Sequence, residues 1–223
     1  MWDLKRPERF LFLFLKSNFS SWLVLGGYVL TLFTGGSALW ILAAVLDLQW
    51  ALTTLAWLAI PVSALMAGYT AFLFGQAEGR DLWQSPVLFW HLQAQAVMVG
   101  SGALAVFGLF FGLSDAAWAL IIGAFVIATI AHLAILLVEY GGRHVSRQAA
   151  TAAHVITHGR YARTFWLGSV LPTVVAALLG VVAWATGMTG AGVVVAVAGL
   201  IVQPALLAYE SVFVRAGQDM PLS

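Results

Sequence analysis

Ala117 to Tyr140 reads AWALIIGAFVIATIAHLAILLVEY. His132 is its only histidine and Glu139 its only acid, and the rest is apolar or small. A hydrocarbon core takes roughly 20 apolar residues to cross as a helix, and this run is long enough. It does not alternate in polarity as a barrel strand would. In lipid the backbone must satisfy its own hydrogen bonds, so the run is predicted to be a helix. Five more stretches read the same way: about Trp22 to Leu46, Trp50 to Phe74, Val87 to Leu113, Phe165 to Thr186 and Ala191 to Val214. The expected fold is an all-α integral membrane bundle of about six transmembrane helices, one transmembrane domain over residues 1–223.

Composition agrees. Hydrophobic residues make up 62% of the chain and charged ones 9%, against about 25% charged in a globular domain. The chain has no cysteine, which excludes disulfides, thiolate metal sites and cysteine-ligated iron–sulfur clusters within it. A net charge of +1 gives no case for a nucleic-acid partner. Small residues recur in the helices, and Gly108-Leu-Phe-Phe-Gly112 forms a GxxxG that predicts close helix packing.

Charges sort by side. The side of the N-terminus, side A, comprises residues 1–20, the Gln76–Pro86 loop, the Gly141–Thr164 loop and the tail after Val214. All 10 basic residues fall there, whereas the other side carries Asp47 and Asp115 and no base. The positive-inside rule places side A, with both termini, in the cytoplasm. Met1 to Lys16 sets six charged residues around the short apolar patch Phe10 to Leu15. That patch cannot span and has no cleavage site before the first helix, so the segment reads as interfacial rather than as a signal peptide.

Ionisable groups in a membrane are functional candidates by default. His132 and Glu139 are seven residues apart and share a helix face. His91 opens the third helix, where solvation at the interface is the plain alternative. Glu210, beside Tyr209 near the end of the sixth helix, and Glu139 could each meet interfacial water or an arginine instead. Tyr69, near the side-A end of the second helix, fits an aromatic belt as well as a site. His91 and His132 are the candidate pair for a bis-histidine haem, but their depths along the helices differ, so no haem is expected. His144, His154 and His158 lie among loop arginines and read as solvated.

Four segments carry a resemblance. They are Asp3-Leu-Lys-Arg-Pro-Glu-Arg-Phe10 followed by Lys16-Ser-Asn-Phe-Ser-Ser-Trp22; Tyr69-Thr-Ala followed by Gln76-Ala-Glu-Gly-Arg-Asp-Leu-Trp83; Gly159-Arg-Tyr-Ala-Arg-Thr-Phe-Trp166; and Tyr209-Glu210 through Gln218-Asp-Met-Pro-Leu-Ser223. In this order and spacing they resemble the NrfD/polysulfide-reductase membrane-anchor family over essentially the whole chain. The resemblance implies a quinone-reactive membrane subunit without haem, in the bacterial inner membrane. It also implies a ferredoxin-like iron–sulfur partner that relays electrons to or from a catalytic oxidoreductase subunit, often a molybdopterin enzyme. Tyr69, with Gln76, Arg80 and Trp83 of the following loop, is then expected to bind the head group of menaquinone or ubiquinone. His132, Glu139 and Glu210 are expected to form a proton path, and Arg6, Arg9, Arg160, Arg163 and Arg215 to dock the partner. Family members usually have eight or more helices, and the pair before the Asp-Leu-x-Arg-Pro loop is missing here. The resemblance therefore implies either a piece of a longer product or a separate partner that supplies those helices. A transporter or channel half, with Pro172 and Pro204 as kinks, and a purely structural anchor are the alternatives.

Overall fold

A computed structural model describes residue 15 and residues 17–187 and 190–220. Most of the expected interfacial segment, with Arg6 and Arg9, lies outside the described residues. Among the described residues, six helices are long and apolar enough to cross a membrane, and no strand occurs. The chain divides into two compact units, residues 1–76 and residues 77–223.

The first unit is a helical hairpin of α1 (Trp22–Val45) and α2 (Gln49–Gly75). Its turn is made by Asp47 in the left-handed region (φ 52°), a conformation that a short polar side chain tolerates. The Leu48 amide returns to the Ala43 carbonyl at 2.9 Å. At the open end, Trp22 and Phe72 stack with centroids 4.2 Å apart. The Gln76 amide fastens the same end: its Nε2 donates to the Ser20 carbonyl (3.0 Å), and its Oε1 accepts from the Trp22 amide (2.9 Å).

The second unit holds α3 (Leu88–Phe111), α4 (Asp115–Gly141), α5 (Arg147–Thr157), α6 (Leu171–Thr186) and α7 (Ala191–Asp219), with a 3₁₀ turn at Asp81–Gln84. α7 packs against α3, α6 and α5, and α4 packs against α3 and α6. Met98, Phe125, Phe165, Ile156, Val195 and Val202 are fully buried among them. α4 starts two residues before the expected boundary because Ser114 caps it, accepting from the Ala117 amide at 3.3 Å.

Three readings of the sequence are corrected. The loop after α4 contains the amphipathic helix α5, capped by Ser146, which accepts from the Ala149 amide at 3.1 Å. Its small buried face of Ala149, Ala152, Ala153 and Ile156 is too mildly apolar for a hydropathy scan to find. The sixth spanning helix runs to Asp219 rather than Val214. Arg215 to Asp219 is more polar but contains no proline, the first one after it being Pro221. Arg80 also caps this end, its Nη1 donating to the carbonyls of Gly217 (2.8 Å), Gln218 (2.7 Å) and Met220 (2.8 Å). At about 1.5 Å per residue the helix exceeds a core of roughly 30 Å, so its last turns project beyond the core.

The third correction concerns Gly108 and Gly112. Gly112 lies beyond α3 at φ +63°, where it ends the helix, and Gly108 faces Leu113 and Trp118. Gly108 does pack closely, against Trp118 of α4, and another glycine of the same helix lets two backbones meet: a Cβ on Gly102 of α3 would lie 2.7 Å from the Cα of Gly199 on α7. The fifth span opens as a π-helical turn, Thr164–Val170, in which the Leu171 amide reaches the Trp166 carbonyl five residues back. Pro172 follows directly, and its missing amide leaves the normal i−4 partner open.

Overpacking a tight contact costs about 1–3 kcal/mol. Gly199→Leu should therefore lower the thermal unfolding midpoint in detergent by several degrees. Gly123→Ala, where a Cβ meets nothing within 4 Å, should leave it unchanged. Equal midpoints in the two variants would remove the Gly102–Gly199 contact from the account of packing.

Candidate functional site

The second unit places five polar side chains in one buried chain. His91 lies in the first turn of α3, His132, Glu139 and Tyr140 lie on α4, and Tyr209 lies on α7. His91 and His132 are both 0% exposed. His91 Nε2 is 2.9 Å from His132 Nδ1. On its other side, His91 Nδ1 is 3.2 Å from Glu139 Oε2 and 3.4 Å from the Tyr209 hydroxyl. The Tyr209 hydroxyl donates to the same Glu139 oxygen at 3.2 Å, and Tyr140 donates to Tyr209 at 3.4 Å. Tyr140 is held edge-on against Phe165 of the π turn, with centroids 5.0 Å apart.

One hydrogen pattern fits the chain throughout. With Glu139 ionised, its Oε2 accepts from Tyr209 and from His91 Nδ1–H. His91 Nε2 then accepts from His132 Nδ1–H. A proton added at His132 Nε2 lets the hydrogens shift along both rings, so that charge moves from His132 to the carboxylate without either ring turning. Imidazole suits this role because both ring nitrogens can carry a hydrogen. Among the described residues, the two ends of the chain, His132 Nε2 and Glu139 Oε1, are buried without a partner. An unpaired buried polar group costs about 1–3 kcal/mol, so these are the atoms at which a water or a proton would be accepted.

Two expectations about the histidines change. His91 is not solvated at an interface, and the depths of His91 and His132 coincide. Counting residues from helix ends assumes that the ends are level, and α4 is three residues longer than α3 (27 against 24). The sequence pattern gives no place in the path to His91, Tyr209 or Tyr140. Tyr209 is visible there only as the neighbour of Glu210, and nothing in the spacing of α3 and α7 points to their meeting.

The other expected site residues fall as follows. Glu210 is exposed on α7. Tyr69, in the first unit, is half-buried, and its ring covers Gly26, where an added Cβ would overlap it. Gln76 makes the backbone bonds of that unit described above. In the second unit, Arg80 caps α7, and Trp83 packs over Gly217 while its indole N–H donates to the Phe213 carbonyl at 3.4 Å. Arg160 pairs with Asp219, which also accepts from Tyr161 at 2.5 Å, and that bond raises the Tyr161 hydroxyl above the usual phenol range. Arg163 and Arg215 are exposed. Among the described residues no three histidines, cysteines or acids are grouped to hold a metal ion.

The family model described as polysulphide reductase, NrfD, matches residues 1–218. The chain belongs to this family. It is thus a multi-pass membrane protein of the kind found as the membrane subunit of polysulphide-reductase-like oxidoreductase complexes. Neither the curated proteins nor the solved structures gave a match.

Proposed function

We propose that this NrfD-family chain exchanges electrons and protons with a membrane quinone on behalf of an iron–sulfur subunit. The observation that carries the reading is the buried Glu139–His91–His132 chain inside a spanning unit. Oxidising a quinol releases two electrons and two protons, and reducing a quinone takes up the same. The electrons go to or come from the partner, since the chain has no cysteine to ligate a cluster. The protons need carriers through an apolar region, and two imidazoles and a carboxylate within hydrogen-bond distance can act as such carriers. Glu210 extends the path at the edge of α7.

For the head group we propose Tyr69. A phenol hydroxyl donates to a quinone carbonyl without the desolvation cost of a charge. Gln76, Arg80 and Trp83 each make structural hydrogen bonds in their own units, so their part is to hold the loop that follows Tyr69. Menaquinone and ubiquinone offer the same carbonyl.

In the assembled complex, Glu139→Gln should slow quinol turnover roughly 10²–10⁴-fold, the order expected when a positioned proton carrier is lost, with assembly intact. Tyr69→Phe should instead raise the Michaelis constant by about 2–10-fold, the equivalent of one hydrogen bond. Unaltered steady-state kinetics in the Gln variant would sink the relay, and in the Phe variant would remove Tyr69 from the site.

For partner docking we propose the side-A arginines, Arg163 and Arg215 being exposed at the surface and Arg160 held by Asp219, with side A in the cytoplasm of a bacterial inner membrane. Charge complementarity of this kind steers encounter and carries salt dependence. Reversing the charge at Arg160 and Arg163 should release the soluble subunits from membranes, and they should appear in the cytoplasmic fraction. Subunits that stay bound with unchanged salt sensitivity would move the docking face, and subunits released to the periplasm would reverse the orientation.

A further inference from the structure

Beyond the relay, the second unit has a small cleft at its surface. It has a volume of about 120 Å³ and is lined by Asp81 and Ser85 of the segment leading into α3, by Glu139, by Arg143 and His144 of the link from α4 to α5, and by Ala149 of α5. Arg143 is exposed and His144 half-buried, so the rim meets solvent. Inside, Glu139 has a side chain only 6% exposed, and its Oε1 is buried with no partner among the described residues.

We propose that this cleft is a water-filled mouth through which protons from the side-A aqueous phase reach and leave Glu139. Its size and lining select the occupant. Ligand pockets are typically about 300–1,000 Å³, so the cleft is too small to enclose a tailed quinone, while several waters fit. The lining carries carboxylates (Asp81, Glu139) and cations (Arg143, and His144 when protonated) together, which favours neither a bound anion nor a bound metal cation. The polar groups share the wall with apolar side chains such as Leu82, Val87 and Val138 and are where water finds partners, and Glu139 joins that wall to the buried chain. Beyond Glu139 the groups in reach are His91, Tyr209 and, through Tyr209, Tyr140; of these His91 continues the chain to His132.

This assignment rests on the relay reading, and its test reads water access alone. The chain has no cysteine, so single-cysteine variants report one position each. Ala149→Cys, at a position 4% exposed, adds one sulfur atom to the cleft wall and is the gentle variant; Glu139→Cys reports the inner end. Met98→Cys, fully buried away from the cleft, is the control. A charged, membrane-impermeant methanethiosulfonate applied to the side-A face of native membranes should label the first two at least about tenfold faster than the control, since thiol reactivity follows access. Ser85→Trp, which fills the cleft, should slow both by a similar factor. Labelling of Ala149→Cys at the control rate, or rates untouched by Ser85→Trp, would overturn the proposal. Fast, Trp-sensitive labelling with normal Glu139→Gln kinetics would keep the mouth and sink the relay.

Discussion

The arrangement depends on one constraint: a carboxylate in the low-dielectric part of a membrane bundle must have partners. An ionised group moved there alone is costly enough that it neutralises or is paired. Glu139 meets this constraint with two donors from different helices, His91 of α3 and Tyr209 of α7, both on the same oxygen. The bonds require α3, α4 and α7 to meet at one depth. The Gly102–Gly199 contact permits that approach for α3 and α7, and the Arg80 cap and the Trp83 indole hold the end of α7 near the start of α3.

Satisfying one oxygen leaves the other. Glu139 Oε1 and His132 Nε2 are open ends on either side of a bonded middle. Buried orphans also occur at Gln95 Oε1 and Ser169 Oγ, so what sets this pair apart is the continuous hydrogen-bonded chain that joins them, which is the connection the proposed relay needs. The π turn beside it, with Phe165 against Tyr140, fits the tendency of such turns to occur near functional sites.

Much of this architecture is legible in the sequence. Apolar length gives the six spans, because lipid leaves backbone groups no other solution. The seven-residue spacing puts His132 and Glu139 on one face, because an α-helix repeats nearly every seven residues. The misses share a physical cause. Hydropathy sees lipid contact, so it overlooks α5, which packs through alanines, and it ends α7 where polarity begins rather than where the backbone changes. Partners across helices are invisible to spacing within one helix, so His91 reads as interfacial and Tyr209 goes unweighted. Gly108 and Gly112 match a packing pattern by spacing alone, but the second of them is where α3 stops.

The central claim is that His91 and His132 share a hydrogen bond in the membrane and pass it on to Glu139. Nitrogen-15 solid-state NMR of the histidine-labelled chain in lipid bilayers tests this directly. The account predicts a through-hydrogen-bond nitrogen–nitrogen coupling that disappears in His132→Phe, and a His91 Nδ1 shift that moves when Glu139 is replaced by Gln. Two uncoupled rings that titrate independently, each like a solvated imidazole, would contradict it.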